Sequence, residues 1–305
     1  MAHIEITQRK SSLIKEAIIQ IGAGGSAGFV EACIMHPMDL IKTRFQLQVK
    51  MGTQDALYYT GIVSFIYCMN KMYNNEGVAA FWKGILPPII METPKRAVKV
   101  CNMKHSKITE YYIYFFYAFF CAGFLTGVTE AILINPFEVV KVQMQSNRKH
   151  INDSPSTIAV TRHILYNQGF GLNGLNKGLS ATIMRNAVFN AFYFGIYRSI
   201  IPRLNKQKEY VPELFLKVYF SFISGTVASC MNIPFDVAKS RIQGPQGTIQ
   251  YKGTLQTIYL IYQNEGFRAL YKGLLPKILR LGPGGAIMLI VYDKMTAFLN
   301  MQFGD

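Results

Sequence analysis

The sequence predicts an all-α membrane protein: six transmembrane helices in three tandem repeats with pseudo-threefold symmetry, and short amphipathic helices along one side. Three observations carry that expectation. The 305 residues are 50% hydrophobic and 13% aromatic but only 16% charged, against about 25% charged in soluble domains. This composition excludes disorder, and five singly placed cysteines make neither a disulfide framework nor a zinc site. The second observation is charge: 32 Lys and Arg against 17 Asp and Glu, a net +15. Nucleic-acid binders share the sign but seldom the apolarity, and no aromatic-interleaved basic patch occurs, so no nucleic-acid partner is expected. The third observation is an internal repeat.

Hydropathy alone is uneven. Tyr111–Thr129 and Val218–Phe235 are uncharged apolar runs of about 18 residues, the length of a spanning helix. Other runs are interrupted. Ala17–Val30 meets Glu31, Gly84–Met91 meets Glu92, Asn186–Tyr197 follows Arg185, and Leu281–Tyr292 lies between Arg280 and Asp293. A charge facing lipid costs about 2.5–3.5 kcal/mol on insertion scales, much of it recovered where the residue faces water between helices. The interruptions therefore read as the lining of a path. Upstream, Met1–Glu16 carries Glu5 and Glu16 and no apolar core, so it reads as neither a secretory signal nor an acid-poor transit peptide.

Each element of the repeat appears three times. An apolar helix opens it, with small residues four apart at Gly24/Gly28, Gly123/Gly127 and Ser221/Gly225, a spacing that lets helix backbones approach closely in lipid. Gly22–Gly28 loosely resembles a dinucleotide loop, but it has no preceding strand. A proline and a charged turn follow: Pro37-Met-Asp39-Leu-Ile-Lys42-Thr-Arg44-Phe-Gln46, Pro136-Phe-Glu138-Val-Val-Lys141-Val-Gln143-Met-Gln145 and Pro234-Phe-Asp236-Val-Ala-Lys239-Ser-Arg241-Ile-Gln243. Next comes a short amphipathic segment ending at Glu76-Gly77 and Glu265-Gly266, with Gly171 taken as its degenerate counterpart in the middle copy. Trp82-Lys83-Gly84, Asn176-Lys177-Gly178 and Tyr271-Lys272-Gly273 then open a second apolar helix. Three such units, over 1–107, 108–208 and 209–305, give six spans and put both termini on one side.

The charged turns have a physical reading of their own. Proline kinks a helix by removing a donor, so three related kinks draw three helix ends together. Just beyond them stand Asp39/Lys42, Glu138/Lys141 and Asp236/Lys239. At i, i+3 each acid can pair within its own helix. In a threefold bundle it can instead meet the base of the neighbouring repeat, and a ring of three such pairs closes the bottom of a cavity. Desolvated pairs of this kind suit a gate, because their rupture is costly but can be offset by substrate contacts.

These residues resemble the mitochondrial carrier family over essentially the whole chain. The resemblance is carried by the three proline motifs together with Glu92–Lys99, Gly174–Leu179, Asn232–Gln246 and Arg280–Ala286. It implies a mitochondrial inner-membrane antiporter, not an enzyme, with no cofactor and no metal, working by alternating access through one central site. It further implies a monomer with both termini toward the intermembrane space. The proline motifs become the matrix gate, which includes Gln46, Gln145 and Gln243, and the short segments become matrix-side helices. Seven residues after Gly84, Gly178 and Gly273 lie Met91, Arg185 and Arg280, followed by Glu92, Asn186 and Leu281. In the family these are substrate contact points, and Arg185-Asn186 resembles the keto-acid and dicarboxylate carriers.

The implied function is exchange of C5–C7 oxodicarboxylates, 2-oxoadipate for 2-oxoglutarate. The alternatives are another di- or tricarboxylate, or a transport-inactive scaffold or leak. A linear diacid needs two cationic points, and guanidinium grips carboxylate bidentately. Arg185 and Arg280 are expected on one carboxylate and Lys95 or Lys99 on the other, with Glu92 on the same face and Arg96 a further candidate; snorkelling toward an interface is the competing reading for the lysines. Glu31 and Glu130 precede their prolines by six residues, while the third repeat has Ala228 there. Structural, proton-coupling and substrate-contact roles are all compatible with them. The resemblance further implies cardiolipin as the lipid partner, at Gly61, Trp82, Gly84, Gly178, Gly253, Tyr271 and Gly273, places where glycine-rich helix N-termini can bind phosphate. Two departures stand out. Gln143 replaces a base, and the acid–base network of the opposite face is eroded, with Thr296 after Tyr292-Asp293, Lys104 and Arg198 in place of its usual members. Any gate on that face is expected to be weak.

Overall fold

A computed structural model describes residues 2–47, 62–91, 115–147, 154–204, 213–245, 247, 251 and 253–303. Among these residues all regular structure is helical. In chain order the helices are α1 (Ala2–Leu47), α2 (Ile62–Glu76), α3 (Phe115–Ser146), α4 (Thr157–Gln168), α5 (Leu179–Leu204), α6 (Glu213–Gln243), α7 (Thr254–Glu265) and α8 (Leu274–Phe303). Short 3-10 turns occupy Val78–Trp82 and Phe267–Tyr271, and a further helical segment covers 86–91. The shortest of the long helices, α5 with 26 residues, reaches about 39 Å, enough to cross a hydrocarbon core of about 30 Å.

The long helices pack in sequence around a bundle. α1 lies against α8, α8 against α6, α6 against α5 and α5 against α3, while α1, α3 and α6 also touch one another pairwise. Such mutual contact of three helices requires their ends to converge. The α3–α5 contact is the tightest: a Cβ on Gly127 would lie 2.5 Å from Ala187 N, and one on Gly123 would lie 2.8 Å from Asn190 O. Those two glycines therefore pack backbone against backbone. Gly225 only meets the Leu281 side chain at 3.5 Å, and Ser221 shares a hydrogen bond with Tyr193.

The polarity of the bundle is inverted relative to a water-soluble protein. Ile18–Leu47, Gly123–Ser146 and Phe267–Gln302 are long and apolar enough to cross a membrane, yet only 11% of the last window is buried. Leu125, Ile132, Leu133 and Ile34 are half exposed or more, whereas Asn135, Glu138, Asp236, Lys239, Arg241 and Gln243 are buried. Two of these three windows contain runs that read in the sequence as interrupted. Val218–Phe235 lies within α6, and residues 111–114 fall outside the described set.

The segments read as charged turns are in fact helix. Pro37, Pro136 and Pro234 sit inside α1, α3 and α6, which continue beyond them. A helical proline leaves the carbonyl four residues back without its donor. For Pro37 that carbonyl belongs to Cys33, and the Trp82 indole N–H donates to it at 3.0 Å. Beneath each proline sits a small apolar core joining the long helix to its short neighbour. These cores are Leu40, Ile41, Phe45, Met72 and Phe81, then Val139, Val140, Ile164 and Leu175, then Ile233, Val237, Ile261, Ala269 and Leu270.

The middle repeat departs in one place from the sequence reading. Its turn glycine is Gly169, not Gly171: Gly169 ends α4 with φ 72°, as Gly77 follows α2 with φ 81° and Gly266 ends α7 with φ 84°. Gly169 stands eight residues before Lys177, whereas Gly77 and Gly266 stand six before Lys83 and Lys272. The two extra residues displace the 3-10 turn and hide the match.

Candidate functional site

Where α1, α3 and α6 converge, each acid meets the base of another repeat. Asp39 Oδ2 lies 2.9 Å from Lys141 Nζ, Glu138 pairs with Lys239, and Asp236 Oδ2 lies 2.5 Å from Lys42 Nζ. The three pairs form a closed ring joining all three repeats. None of the six uses its i, i+3 neighbour in these contacts.

The same acids hold a second set of cations, from α5 and α8. Arg185 Nη2 donates to Glu138 Oε1 at 2.8 Å, and its Nη1 is 3.8 Å from Asp236 Oδ1. Arg280 pairs with Asp39 and donates through Nη2 to Glu31 Oε1 at 3.0 Å. Lys277, which the sequence reading passed over, donates to Asp236 Oδ2 at 3.3 Å. An intramembrane lysine three residues before Arg280 was the signal available for it. Glu130 accepts from Asn190 Nδ2 at 3.4 Å. Arg185 Nε and Asn186 Nδ2 are buried donors with no acceptor among the described residues. A carboxylate or keto oxygen from outside is what such donors lack.

Glutamines and glycines seal the ring from below. Gln243 donates to Asn135 Oδ1 at 3.0 Å, beside the 2.6 Å bond from Thr182 to the same oxygen, and Ser240 donates to Gln46 Oε1 at 2.7 Å. Gln145 is fully buried, and neither amide atom finds a hydrogen-bond partner among the described residues. Gly84, Gly178 and Gly273 lie against Gln145, Gln243 and Gln46 respectively, each at positive φ of 74°, 69° and 85°. Each Lys-Gly corner thus packs on the glutamine of another repeat. Lys83 Nζ donates to Asn147 O at 2.9 Å and Lys177 Nζ to Gly244 O at 3.2 Å, at the ends of α3 and α6. Burial holds both ammonium groups below their ordinary pKa.

Two buried clamps tie long helices to short ones. Arg44 donates bidentately to Glu76 at 2.5 and 2.7 Å, with Lys83 3.8 Å away. Arg241 grips Glu265 in the same manner, with Lys272 at 2.8 Å. Burial raises the Glu265 carboxyl pKa, but hydrogen bonds from Arg241 and Lys272 outweigh it and leave that pKa below the ordinary value. In the middle repeat the acid is Gln168 and the base Gln143, whose amide donates instead to Gln243 O at 2.9 Å. The missing charge at Gln143 is thereby explained: its partner changed with it.

Glu92, Lys95, Arg96, Lys99 and Gly61 lie outside the described residues. Trp82 is occupied with the Cys33 carbonyl, the Tyr271 ring lies tilted against Phe267, and Gly253 caps α7 with nothing among the described residues close to its α-carbon face.

Comparison with known proteins agrees with this architecture. The family model described as mitochondrial carrier protein matches three times, over residues 15–109, 114–208 and 212–303. The human mitochondrial 2-oxodicarboxylate carrier is 50% identical over 294 residues, covering 95% of this chain and 97% of that one. The mouse protein of the same name is 47% identical with the same coverage. Mitochondrial 2-oxodicarboxylate carrier 2 of Saccharomyces cerevisiae is 35% identical over 94% of this chain and 96% of its own. Triplicate matches spanning nearly every residue, on a bundle whose three repeats close one ion-pair ring, establish that the chain belongs to the mitochondrial carrier protein family.

Proposed function

We propose that the chain is a mitochondrial inner-membrane antiporter exchanging C5–C7 oxodicarboxylates, 2-oxoadipate for 2-oxoglutarate, by alternating access. The observation that carries this is the cationic site itself. Arg185 and Arg280 reach from α5 and α8 onto the gate acids, while Arg185 Nε and Asn186 Nδ2 stay buried without acceptors among the described residues. An unmet buried donor costs about 1–3 kcal/mol, which an incoming carboxylate recovers. The names of relatives at 50% and 47% identity support the substrate class.

In this reading the three repeats, 1–107, 108–208 and 209–305, supply six spans. The sixth span is assigned to the stretch that begins with the helical segment 86–91, and Glu92, Lys95, Arg96 and Lys99 are proposed as further substrate contacts. The acid–base ring with Gln46, Gln145 and Gln243 is the matrix gate, and both termini face the intermembrane space. Cardiolipin is the proposed lipid partner. The transporting unit is proposed to be a monomer.

Competition in reconstituted liposomes tests the substrate assignment. Uptake of labelled 2-oxoglutarate should be blocked by six- and seven-carbon diacids and little affected by malate, oxaloacetate or citrate. Stronger block by the four-carbon acids would assign the chain to another carboxylate.

A further inference from the structure

We infer that Lys277 is a substrate-binding residue that sets the length preference of the diacid site, gripping one carboxylate together with Arg185 while Arg280 grips the other. The inference rests on the oxodicarboxylate reading above and deepens it.

The geometry divides the cations into two groups. Arg280 is anchored on Asp39 and Glu31, whereas Arg185 and Lys277 both approach Asp236, at 3.8 and 3.3 Å. A carboxylate between Arg185 and Lys277 is therefore an arrangement the protein already makes, with its own aspartate in the substrate's place. Asp236 does not depend on Lys277, because Lys42 contacts the same oxygen at 2.5 Å and completes the ring. The longer Lys277 bond is the one that a substrate carboxylate can take over.

Symmetry supplies a second, independent argument. Four residues after Gly84, Gly178 and Gly273 stand Pro88, Thr182 and Lys277. Thr182 is buried in the hydrogen-bonded cluster of Asn135 and Gln243. A threefold gate needs nothing charged at this register, and two repeats have nothing charged there. A diacid with one keto group is not threefold, so its recognition calls for residues that break the repeat. Lys277 is such a residue, and its ammonium lies 5.7 Å from the Phe189 ring centroid, which gives the methylene chain an apolar wall beside the charge.

Kinetics in proteoliposomes separate this role from a purely structural ion pair. Lys277→Gln should raise the KM for 2-oxoadipate by about tenfold or more, the loss of one charge-assisted hydrogen bond, and leave the maximal exchange rate within about threefold. An unchanged KM with a reduced maximal rate would overturn the inference, since a gate strut acts on the rate alone. Lys277→Arg decides the matter if the glutamine variant does not fold. Its longer side chain should shift preference from 2-oxoadipate toward the shorter 2-oxoglutarate, and an unaltered ratio would equally overturn it. If the wild-type protein exchanges neither acid, the substrate reading fails first and this inference with it. If wild type exchanges both and the variants match it, only Lys277 is excluded.

Discussion

At Arg185 the chemistry of one residue is exposed most fully. Its guanidinium bridges Glu138 and Asp236 of two repeats, yet Nε has no acceptor among the described residues. Arg185→Ala should lower exchange by at least about 100-fold, the scale of a lost bidentate carboxylate contact, while the detergent-solubilised protein retains a cooperative thermal transition. Transport close to wild type would remove Arg185 from the site. A second residue-scale expectation concerns Gly273, at φ 85° with Gln46 and Lys42 side-chain atoms 3.2 and 3.3 Å from any added Cβ. Gly273→Ala combines left-handed strain with crowding, so stability should fall by about 1–3 kcal/mol, read as a lower Tm. Arg185 was legible in the sequence because the Lys-Gly spacing registers it against Arg280. Lys277 breaks the repeat, so matching repeats misses it, and only its place in an apolar run three residues before Arg280 marks it. Nor was the role of Trp82 legible: it serves a carbonyl 49 residues away, freed by a proline in another helix.

The short helices and their clamps belong to the next scale. Arg44–Glu76 and Arg241–Glu265 fix α2 and α7 to their long helices, while Gln143 and Gln168 leave α4 without that charge pair. Breaking a buried pair from one side costs about 3–5 kcal/mol, so Glu265→Gln should lower Tm markedly, whereas Gln168→Ala should change it little. The sign with pH follows from the lowered Glu265 pKa. A depressed carboxylate contributes stability above its unfolded pKa of about 4.3, and that contribution disappears as pH falls through the folded value. Tm should therefore drop below about pH 4.5 in wild type, and this part of the drop should be absent in Glu265→Gln. The helices α2 and α7 were legible from Glu-Gly before Aro-Lys-Gly. The matching corner at Gly169 was obscured by two inserted residues, and the helical continuation past each proline by the strength of proline as a breaker in isolated sequence.

Among the described residues, large apolar side chains lie exposed along the long helices while acids and bases gather where α1, α3 and α6 converge, so high apolarity and many charges coexist in one chain. Cations outnumber acids at the ring: Asp39, Glu138 and Asp236 engage Lys42, Lys141 and Lys239 and also Arg185, Lys277 and Arg280. In the proposed exchange cycle, an incoming dianion competes with these carboxylates for the arginines. Exchanging the charges of one ring pair tests that coupling. Asp39→Lys or Lys141→Asp alone should impair exchange by about tenfold or more, and the double variant should recover part of it; no recovery would mean that the pair does not act as a unit. The most direct test of the central claim is counter-exchange in proteoliposomes containing the purified wild-type protein. Labelled 2-oxoadipate should enter vesicles loaded with 2-oxoglutarate and stay outside vesicles loaded with buffer alone. Uptake that is absent in both, or equal in both, would contradict an oxodicarboxylate antiporter.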